Sequence, residues 1–514
     1  MLKPRGRLVS TAPFPLIGAL DRQYPIKPPV SPIFSHGRNH GVLSRFETVP
    51  VPPGRRLAVA ARRGRYPTLM SEFLTCCCLR SIHLGTLLTL ILCGVSGRPV
   101  AAAPPVVKSP SVLTDWTQFL GPDGRGHARA SSRIPLHWNE RRNILWRTRL
   151  PGRGWSSPVV AGDRIWMTTA RDRDRSLGLL SLDRESGAIR DSHEVLRVEQ
   201  PGKIHSKNGH ASPTPIVVGD RIYVHFGAHG TACLRLDGHV DWSTTLPYYH
   251  HHGPAGSPAI AGDLLVIACD GFTRSFYDRL LRPGVMSPQF VVALDRHTGQ
   301  TRWRRSREQG RHSYSTPLVL GDGDRAQVIS SGGDRVVSYD AATGRRLWWC
   351  RYTGYSVVPR PVAGPRGSGL VYVCSGYDHP RLLAIRTDGR GDVTTTHVAW
   401  QVQKATPLNP TPLLVDDALY LVNDAGITSC LDAMTGRTRW RRRLTGHFSA
   451  SPLFVSGHLL AINETGTTHV LVPGPRYRRV ALNRLSARTL ATPAVSGNRL
   501  LIRTDRELIC IGQE

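Results

Sequence analysis

Lysine is scarce in this sequence of 514 residues, where arginine supplies all but six of the 67 Lys and Arg residues. The formal net charge of +30 is therefore an excess of arginine. Such a bias fits a GC-rich coding sequence at least as well as a phosphate-binding surface. The basic helices and fingers of duplex binders are missing, as is the interleaving of aromatic and basic residues that is typical of single-strand binders. We therefore expect no nucleic-acid partner.

Long apolar runs are missing as well, so the sequence predicts no membrane-spanning helix. The apolar run over residues 82–95 has only fourteen residues, which suits the core of a signal peptide, and Arg80 precedes it. Alanines at 101–103 supply a cleavage region, so we predict a signal peptide over residues 70–103. The protein would then be exported to the periplasm, the cell envelope or the cell exterior, and would meet a membrane only through a partner or an uncleaved signal.

The segments on either side of this leader carry little sign of a folded domain. Residues 1–69 are rich in Pro and Arg and show no hydrophobic periodicity, which predicts a disordered extension or a mis-assigned start codon upstream of Met70. This extension holds twelve Lys and Arg against two acidic residues, about a third of the net charge. Residues 104–113 are expected to be a linker.

The remaining sequence is repetitive. Eight segments share a Ser/Thr-Pro start, a turn and an alternating apolar strand, and they recur about every 48 residues, the length of one four-stranded propeller blade. The prolines that align them are Pro158, Pro215, Pro258, Pro317, Pro361, Pro412, Pro452 and Pro493. A proline at the first strand position costs no ladder hydrogen bond, so we expect an innermost strand to start at each one.

Within a unit, a third strand ends in Leu-Asp or Tyr-Asp, a Thr-Gly turn follows, and a fourth strand carries tryptophan. Aspartate and tryptophan are eight residues apart in three units, at 295 and 303, 340 and 348, and 432 and 440. A large indole at one repeated position is best explained as a wedge between blades, and glycine supplies the positive φ of a tight turn. The expected docking residues are Trp146, Trp303, Trp348, Trp440, Gly299, Gly344 and Gly436.

The two ends of the repeat complement each other. The last unit ends with a third strand at 507–511 and has no fourth, whereas residues 143–150 form a tryptophan strand without a unit of its own. Joining them would complete the last blade and remove the exposed sheet edges. We therefore predict an all-β, eight-bladed β-propeller over residues 114–514, with four-stranded antiparallel blades and the last blade closed by an N-terminal strand.

Elements such as Ala293–Trp303 and Cys430–Trp440 resemble the repeat of pyrroloquinoline-quinone (PQQ) type propellers, and exported planctomycete-type members in particular. This superfamily includes quinoprotein alcohol dehydrogenases and a propeller lipoprotein of the outer-membrane β-barrel assembly machine. For the enzymes, the resemblance implies a calcium ion held by carboxylate and amide oxygens, an aspartate base, and commonly a disulfide between adjacent cysteines. The only adjacent cysteines here, Cys76 to Cys78, lie in the leader.

The segments before the aligned prolines are expected to form the channel mouth. Over ten residues each they contain one acid, Glu308, whereas the turns after the first strand, on the opposite face, are acidic. A hard cation such as calcium needs oxygen ligands, which such a mouth lacks. The basic and aromatic residues proposed to bind a ligand or partner there are Arg153, Trp155, His205, Lys207, His210, His252, Arg311, Tyr314, Tyr355, Arg360 and Lys404. The alternative is that these arginine-rich loops merely solvate a surface.

Histidines offer a further candidate site. His250, His251 and His252, with His205 and His210, could hold zinc or copper, but no metal-ligand spacing supports this and we predict no metal. No catalytic triad order or phosphate loop stands out from the repeat. We expect a non-catalytic binding or assembly scaffold without a cofactor, which binds an anionic ligand or a protein partner. The alternative is a PQQ-dependent, alcohol dehydrogenase-like enzyme with calcium and a divergent site.

Overall fold

The computed structural model describes residues 116–250, 252–271, 288–307 and 311–513. The predicted extension, signal peptide and linker lie outside these residues, as do His251 and Glu308. The described chain consists of strands joined by turns, with two short 3-10 turns at Gly227–His229 and Gly323–Arg325. Within these residues, no helix is long and apolar enough to cross a membrane.

The described strands form eight sheets, each built on four antiparallel strands, so the predicted eight-bladed propeller is confirmed. Blades are numbered here by the chain order of their innermost strands. Blades 1 to 4 contain β2 (Val159–Ala161), β3 (Arg164–Arg171), β4 (Ser176–Asp183), β5 (Ile189–Arg197); β6 (Ile216–Val218), β7 (Arg221–His225), β8 (Thr231–Arg235), β9 (Val240–Thr244); β10 (Ala259–Ala261), β11 (Leu264–Asp270), β12 (Gln289–Asp295), β13 (Thr301–Ser306); and β14 (Leu318–Leu320), β15 (Gln327–Ser331), β16 (Arg335–Asp340), β17 (Arg346–Arg351).

The second half of the ring repeats this order. Blades 5 to 8 contain β18 (Val362–Ala363), β19 (Leu370–Cys374), β20 (Leu382–Arg386), β22 (Val398–Val402); β23 (Leu413–Val415), β24 (Ala418–Val422), β25 (Ile427–Asp432), β26 (Thr438–Arg443); β27 (Leu453–Val455), β28 (His458–Ile462), β29 (Thr467–Val472), β30 (Arg478–Arg484); and β31 (Ala494–Ser496), β32 (Arg499–Arg503), β33 (Glu507–Ile511), with β1 (Ile144–Arg149) as the outermost strand of blade 8. Every innermost strand begins one residue after an aligned proline, as the repeat predicts.

Blade 8 is closed by the two ends of the described chain. The strand β1 pairs antiparallel with β33, with Trp146 opposite Cys510 and Arg149 opposite Glu507. One irregularity appears in blade 4, where a two-residue strand β21 (Gly391–Asp392) adds a parallel fifth strand beside β17. The six cysteines of the described residues are buried and form no disulfide.

Tryptophans on the outermost strands contact the third-to-fourth-strand turn of the following blade. Trp303 of blade 3 donates its Nε1 hydrogen to Ala341 O at 2.9 Å, and a Cβ on Gly344 would lie 2.6 Å from its ring. Trp440 of blade 6 donates to Gly474 O of blade 7 at 3.0 Å. The indole therefore fills the gap between neighbouring blades and anchors to a backbone carbonyl.

The other outer tryptophans follow the same pattern with local variations. Trp348 of blade 4 donates to Thr387 O at 3.1 Å, and Trp146 of blade 8 packs on Gly187 of blade 1. Trp242 packs on Gly299 and Trp400 on Gly436, in two units whose turns do not have the regular spacing. These two tryptophans were not among the docking residues expected from the sequence.

Candidate functional site

The channel mouth is built by two sets of loops, because strands alternate in direction. One set precedes the innermost strands, and the other set is the hairpins between the second and third strands of each blade. In seven of the eight blades this hairpin, or the strand end before it, carries an acid: Asp174, Asp270, Asp334, Asp378, Asp424, Glu464 and Asp505. The expectation of a mouth without acids is therefore wrong, since it counted only the first set of loops.

Four of these seven acids pair with predicted basic residues of the mouth. Arg153 binds Asp174 at 3.0 Å, and Lys207 binds Glu464 of the distant blade 7 at 2.7 Å. Neutral pairs of this kind leave the mouth less cationic than the sequence of the first loop set suggests.

Arg311 is the most strongly held of these cations. Its guanidinium lies between Asp334 at 2.6 Å and Asp378 at 2.9 Å, and it lies over the Tyr355 ring at 4.8 Å. The hydrogen bonds to these carboxylates raise the pKa of Arg311. Burial acts to raise the pKa of Asp334, but the hydrogen bonds from Arg311 outweigh it and hold that pKa below its ordinary value. Arg311 therefore orients Tyr355 while its own charge is balanced.

Five of the predicted mouth residues line one cavity of about 470 Å³, which we call the aromatic cavity. These five are His205, Lys207, His252, Tyr314 and Tyr355; the cavity is completed by Asn208, Ala255, His312, Ser356, Val358, Tyr377 and Asn409. The cavity extends over the loops of blades 2 to 6. Its lining contains no carboxylate among the described residues.

Rings form a continuous wall along the aromatic cavity. The centroid of His252 lies 5.4 Å from that of His205 and 5.8 Å from that of His312. His312 in turn lies 5.3 Å from Tyr355, which is followed by Tyr377 at 6.3 Å. Offset and edge-on contacts at these distances are the favoured arrangements of aromatic rings, so the wall is rigid and presents both apolar faces and polar edges.

A second cavity of about 410 Å³ lies beside it, between blades 1, 2 and 8. Arg153, Trp155 and His210 line this cavity, and His205 is shared with the aromatic cavity. Arg488 lies over the Trp155 ring at 5.4 Å. Eight of the eleven predicted mouth residues are thus divided between two neighbouring cavities, and Arg311 lines neither of them.

Arg360 lines neither cavity, which corrects its assignment to the mouth. Only 6% of this residue is exposed, and its guanidinium donates to Pro317 O at 3.2 Å and to Gly124 O at 2.7 Å. Burial lowers its pKa to about 10, although the nearby charge of Asp123 opposes this. Lys404, also expected at the mouth, is exposed and lines neither cavity.

Arg360 takes the place of a hydroxyl residue that the other units have immediately before the aligned proline. The other seven units have Ser or Thr before the aligned proline, and a backbone N–H of the preceding blade donates to several of these hydroxyls. Such bonds of 2.9–3.1 Å run to Thr214, Ser257, Thr316, Thr411, Ser451 and Thr492. Arginine interrupts this ring in blade 5 and instead reaches the segment that contains Gly124, whose neighbours pair with innermost strands of blades 1, 2 and 7. Arg360 is therefore buried inside the ring, where it binds backbone carbonyls.

The buried His225 of blade 2 gives a prediction for how the free energy of unfolding depends on pH. His225 is 2% exposed, its Nδ1 lies 2.8 Å from Thr231 Oγ1, and burial lowers its pKa to about 3. In the unfolded chain it takes up a proton below about pH 6.5, whereas the folded protein resists this, so stability present above that pH is lost on acidification. We expect a loss of about 2 kcal/mol in the free energy of unfolding between pH 7 and pH 5 from this residue alone.

Denaturant unfolding at both pH values, on the wild type and on His225→Gln, measures this contribution. Glutamine retains hydrogen-bonding capacity but does not titrate, so the variant should lose less stability on acidification. Equal pH dependence of the two proteins would show that His225 does not resist protonation.

The mouth residues can be compared with the calcium and quinone site implied by the resemblance. In the described residues no two cysteines are adjacent, and all six are buried away from the cavities. Asp174 and Asp505 are the carboxylates in the lining of the second cavity, and Asp174 is already held by two hydrogen bonds from Arg153. These donors do not fit the set that the quinoprotein enzymes use.

The eight-bladed fold and its repeat together define a PQQ-like β-propeller. A family model described as outer membrane protein assembly factor BamB matches residues 137–279, 288–406 and 390–471, and the chain belongs to this family. A BamB from Burkholderia pseudomallei (strain K96243) is 27% identical over 244 residues, which cover 46% of this chain and 56% of that protein. The serine/threonine-protein kinase AfsK of Streptomyces griseus is 27% identical over 318 residues, 60% of this chain and 33% of the kinase. The chain thus spans about half the length of this BamB.

Solved structures show the same fold at low sequence identity. The crystal structure of BamB from Moraxella catarrhalis has a TM-score of 0.50 and 17% identity, covering 72% of this chain and 97% of that one. The quinohemoprotein alcohol dehydrogenase from Comamonas testosteroni has a TM-score of 0.55 and 10% identity, covering 79% of this chain and 82% of the enzyme. Identities this low support the fold and carry no argument about activity.

Proposed function

We propose that this protein is an exported, non-catalytic binding and assembly scaffold of the cell envelope, whose aromatic cavity receives an extended segment of a protein partner. Membership in the BamB family supports an assembly role, since the name of that family describes outer membrane protein assembly. A rigid ring suits such a role because it presents loops from eight blades on one face.

The wall of rings in the aromatic cavity is the observation that carries this proposal. Five histidine and tyrosine rings follow one another at 5.3–6.3 Å beside a cavity of about 470 Å³. Aromatic anchors dominate the energetics of protein interfaces, and preordered rings lose little entropy on binding. Tyr377, at the end of the wall, is 38% exposed and is available to a partner.

The charge balance of the mouth favours a protein segment over a small anion. Lys207 and Arg311, the cations nearest the cavity, each contact a carboxylate of this chain within 3 Å. A small anion would have to compete with those carboxylates for the same donors. A peptide gains instead from contacts with the rings, which do not compete with those carboxylates.

Photo-crosslinking tests the proposal. Benzoylphenylalanine is placed at Tyr377 on the mouth and, as a matched control, at Met434, which is 50% exposed on a turn of the opposite face. In an envelope fraction, we expect one crosslinked protein from the Tyr377 probe and none from Met434. Adding Tyr355→Ala should weaken binding of that protein about tenfold, because an aromatic anchor is lost.

Three results would contradict this proposal: equal crosslinking from both faces, binding unaffected by Tyr355→Ala, or saturable binding of a small polycarboxylate such as citrate in the same cavity. The last of these would favour the anionic ligand that the sequence left as an alternative.

A PQQ-dependent dehydrogenase is the second candidate, because the repeat elements Ala293–Trp303 and Cys430–Trp440 resemble those of the quinoprotein enzymes. It is tested by titrating the protein with PQQ and calcium while following absorbance and dye-linked alcohol oxidation. Saturable, PQQ-dependent oxidation would replace the scaffold proposal. A flat titration would support the scaffold.

A further inference from the structure

Three histidines from three separate loops meet at the mouth end of blade 2. His210 precedes β6, His229 lies in the hairpin between β7 and β8, and His250 follows β9. One nitrogen from each ring lies within 4.8 Å of the others. The closest pair of ring centroids is His229 and His250, at 5.0 Å. We call this group the histidine cluster.

The outer nitrogens of two of these rings are held by backbone carbonyls. His210 Nε2 lies 3.3 Å from Gly202 O, and His229 Nε2 lies 3.1 Å from Pro201 O. A carbonyl accepts only from N–H, so the proton of each neutral ring is on Nε2 and Nδ1 keeps its lone pair. His210 is 1% exposed, and its buried Nδ1 has no hydrogen-bond partner among the described residues. Carbonyl-bound histidines with a free second nitrogen are typical metal ligands.

Burial also favours the neutral form of these three rings. Burial lowers the pKa of all three rings, that of His250 to about 3. Protons therefore compete weakly for the lone pairs, whereas three imidazolium ions at this distance would repel each other.

We propose that His210, His229 and His250 form a binding site for a divalent transition metal ion, with zinc as the ion to test. Imidazole nitrogens suit zinc, copper and nickel, whereas calcium and magnesium require oxygen ligands. Three protein ligands leave a fourth tetrahedral position open to water or to a group from a partner. From the sequence, His210 and His250 were grouped with His205, His251 and His252, and no metal was predicted. His205 and His252 line the aromatic cavity instead, and His229 was not in that group.

Binding requires a small rearrangement. Tetrahedral zinc–nitrogen bonds of about 2.0–2.1 Å place ligand nitrogens about 3.3 Å apart, so the rings must close in by about 1 Å. His250 Nδ1 accepts a hydrogen bond from Ala228 N at 2.9 Å, and this bond must be exchanged for the metal to bind that ring. We therefore expect weaker binding than at a closed four-ligand site, with His210 and His229 as the stronger ligands.

The test uses the full chain with Cys76, Cys77, Cys78 and Cys93 replaced by serine, so that thiolates in the leader contribute no site. Metal-free protein is titrated with zinc chloride by calorimetry, and with cobalt(II) by absorption spectroscopy. We expect one zinc ion per chain and a tetrahedral cobalt spectrum. His229→Ala should weaken zinc binding at least tenfold, since it removes one of three ligands. His252→Ala, a half-buried histidine of the neighbouring cavity, is the matched control and should bind zinc like the parent.

Thermal unfolding with and without zinc distinguishes the loss of a metal ligand from a folding defect in the variant. Saturating zinc should raise the unfolding temperature of the parent and of His252→Ala, and not that of His229→Ala. If His229→Ala fails to fold, His210→Gln takes its place, because glutamine nearly preserves the buried volume. No stoichiometric zinc binding, or equal affinity in the cluster variant and the control, would overturn the proposal.

Discussion

Replacing Asp270 with alanine is expected to lower the free energy of unfolding by about 3–5 kcal/mol, the usual cost of leaving a buried charge without its partner. Asp270 ends β11, and its Oδ1 lies 2.8 Å from Arg307 Nε in the same blade. The two side chains are 1% and 3% exposed. Arg307 also donates to the carbonyl of Ser330, but no other carboxylate in the described residues pairs with it. Denaturant unfolding measures the effect.

Two controls separate the buried charge from loss of side-chain volume. Asp263, which pairs with Arg296 on the surface, is 72% exposed, so Asp263→Ala should leave the unfolding midpoint nearly unchanged. Replacing the pair together, as Asp270→Leu with Arg307→Met, should recover much of the loss because no charge is stranded. A cost for Asp270→Ala no larger than that for Asp263→Ala would show that the pair contributes little.

The next largest effect is expected for Gly344→Ala, which we predict to cost about 2–5 kcal/mol. Gly344 has a φ of +69°, where an L side chain costs about 1–2 kcal/mol. A Cβ there would also lie 2.6 Å from the ring of Trp303, which is 5% exposed and wedged between blades 3 and 4. Displacing that ring adds about 1–3 kcal/mol, the usual cost of overpacking.

Gly262→Ala separates the backbone cost of a positive φ from the cost of displacing the Trp303 ring. Gly262 has a similar φ of +58°, but a Cβ there would meet no atom within 4 Å. It should therefore show the backbone cost alone, and thermal unfolding of both variants gives the contribution of the tryptophan by difference. Equal losses in the two variants would show that the indole does not constrain the turn.

The architecture could be predicted from the sequence because each blade repeats the same local signals. Proline marks the start of every innermost strand, and the unpaired strands at 144–149 and 507–511 indicate how the ring closes. Trp242 and Trp400 were missed because their units have a shortened or a lengthened turn, the latter containing β21, so their spacing from aspartate is irregular. Aligning the repeats identifies the positions that all blades share, but it does not identify a residue whose blade has an irregular turn.

The site was less predictable for the same reason. Arg360 breaks a ring of hydroxyl groups, and its neighbour Gly124 is 236 residues away in the sequence. Acids at or just after the end of the second strand recur in seven units, so the sequence itself contains a regular signal for a mouth with acids. His229 stands in the one hairpin without an acid, and only the folded loops bring it beside His210 and His250.

The pairing of β1 with β33 has a consequence for the timing of folding. Among the described strands, the outermost strand of blade 8 is synthesised first, yet its partner residues, Glu507 to Ile511, form the last one. Until that strand is available, β1 has no ladder partner and the ring stays open, however many intermediate blades have formed. Closure of the ring therefore waits for β33, the last of the described strands, and cannot precede its synthesis.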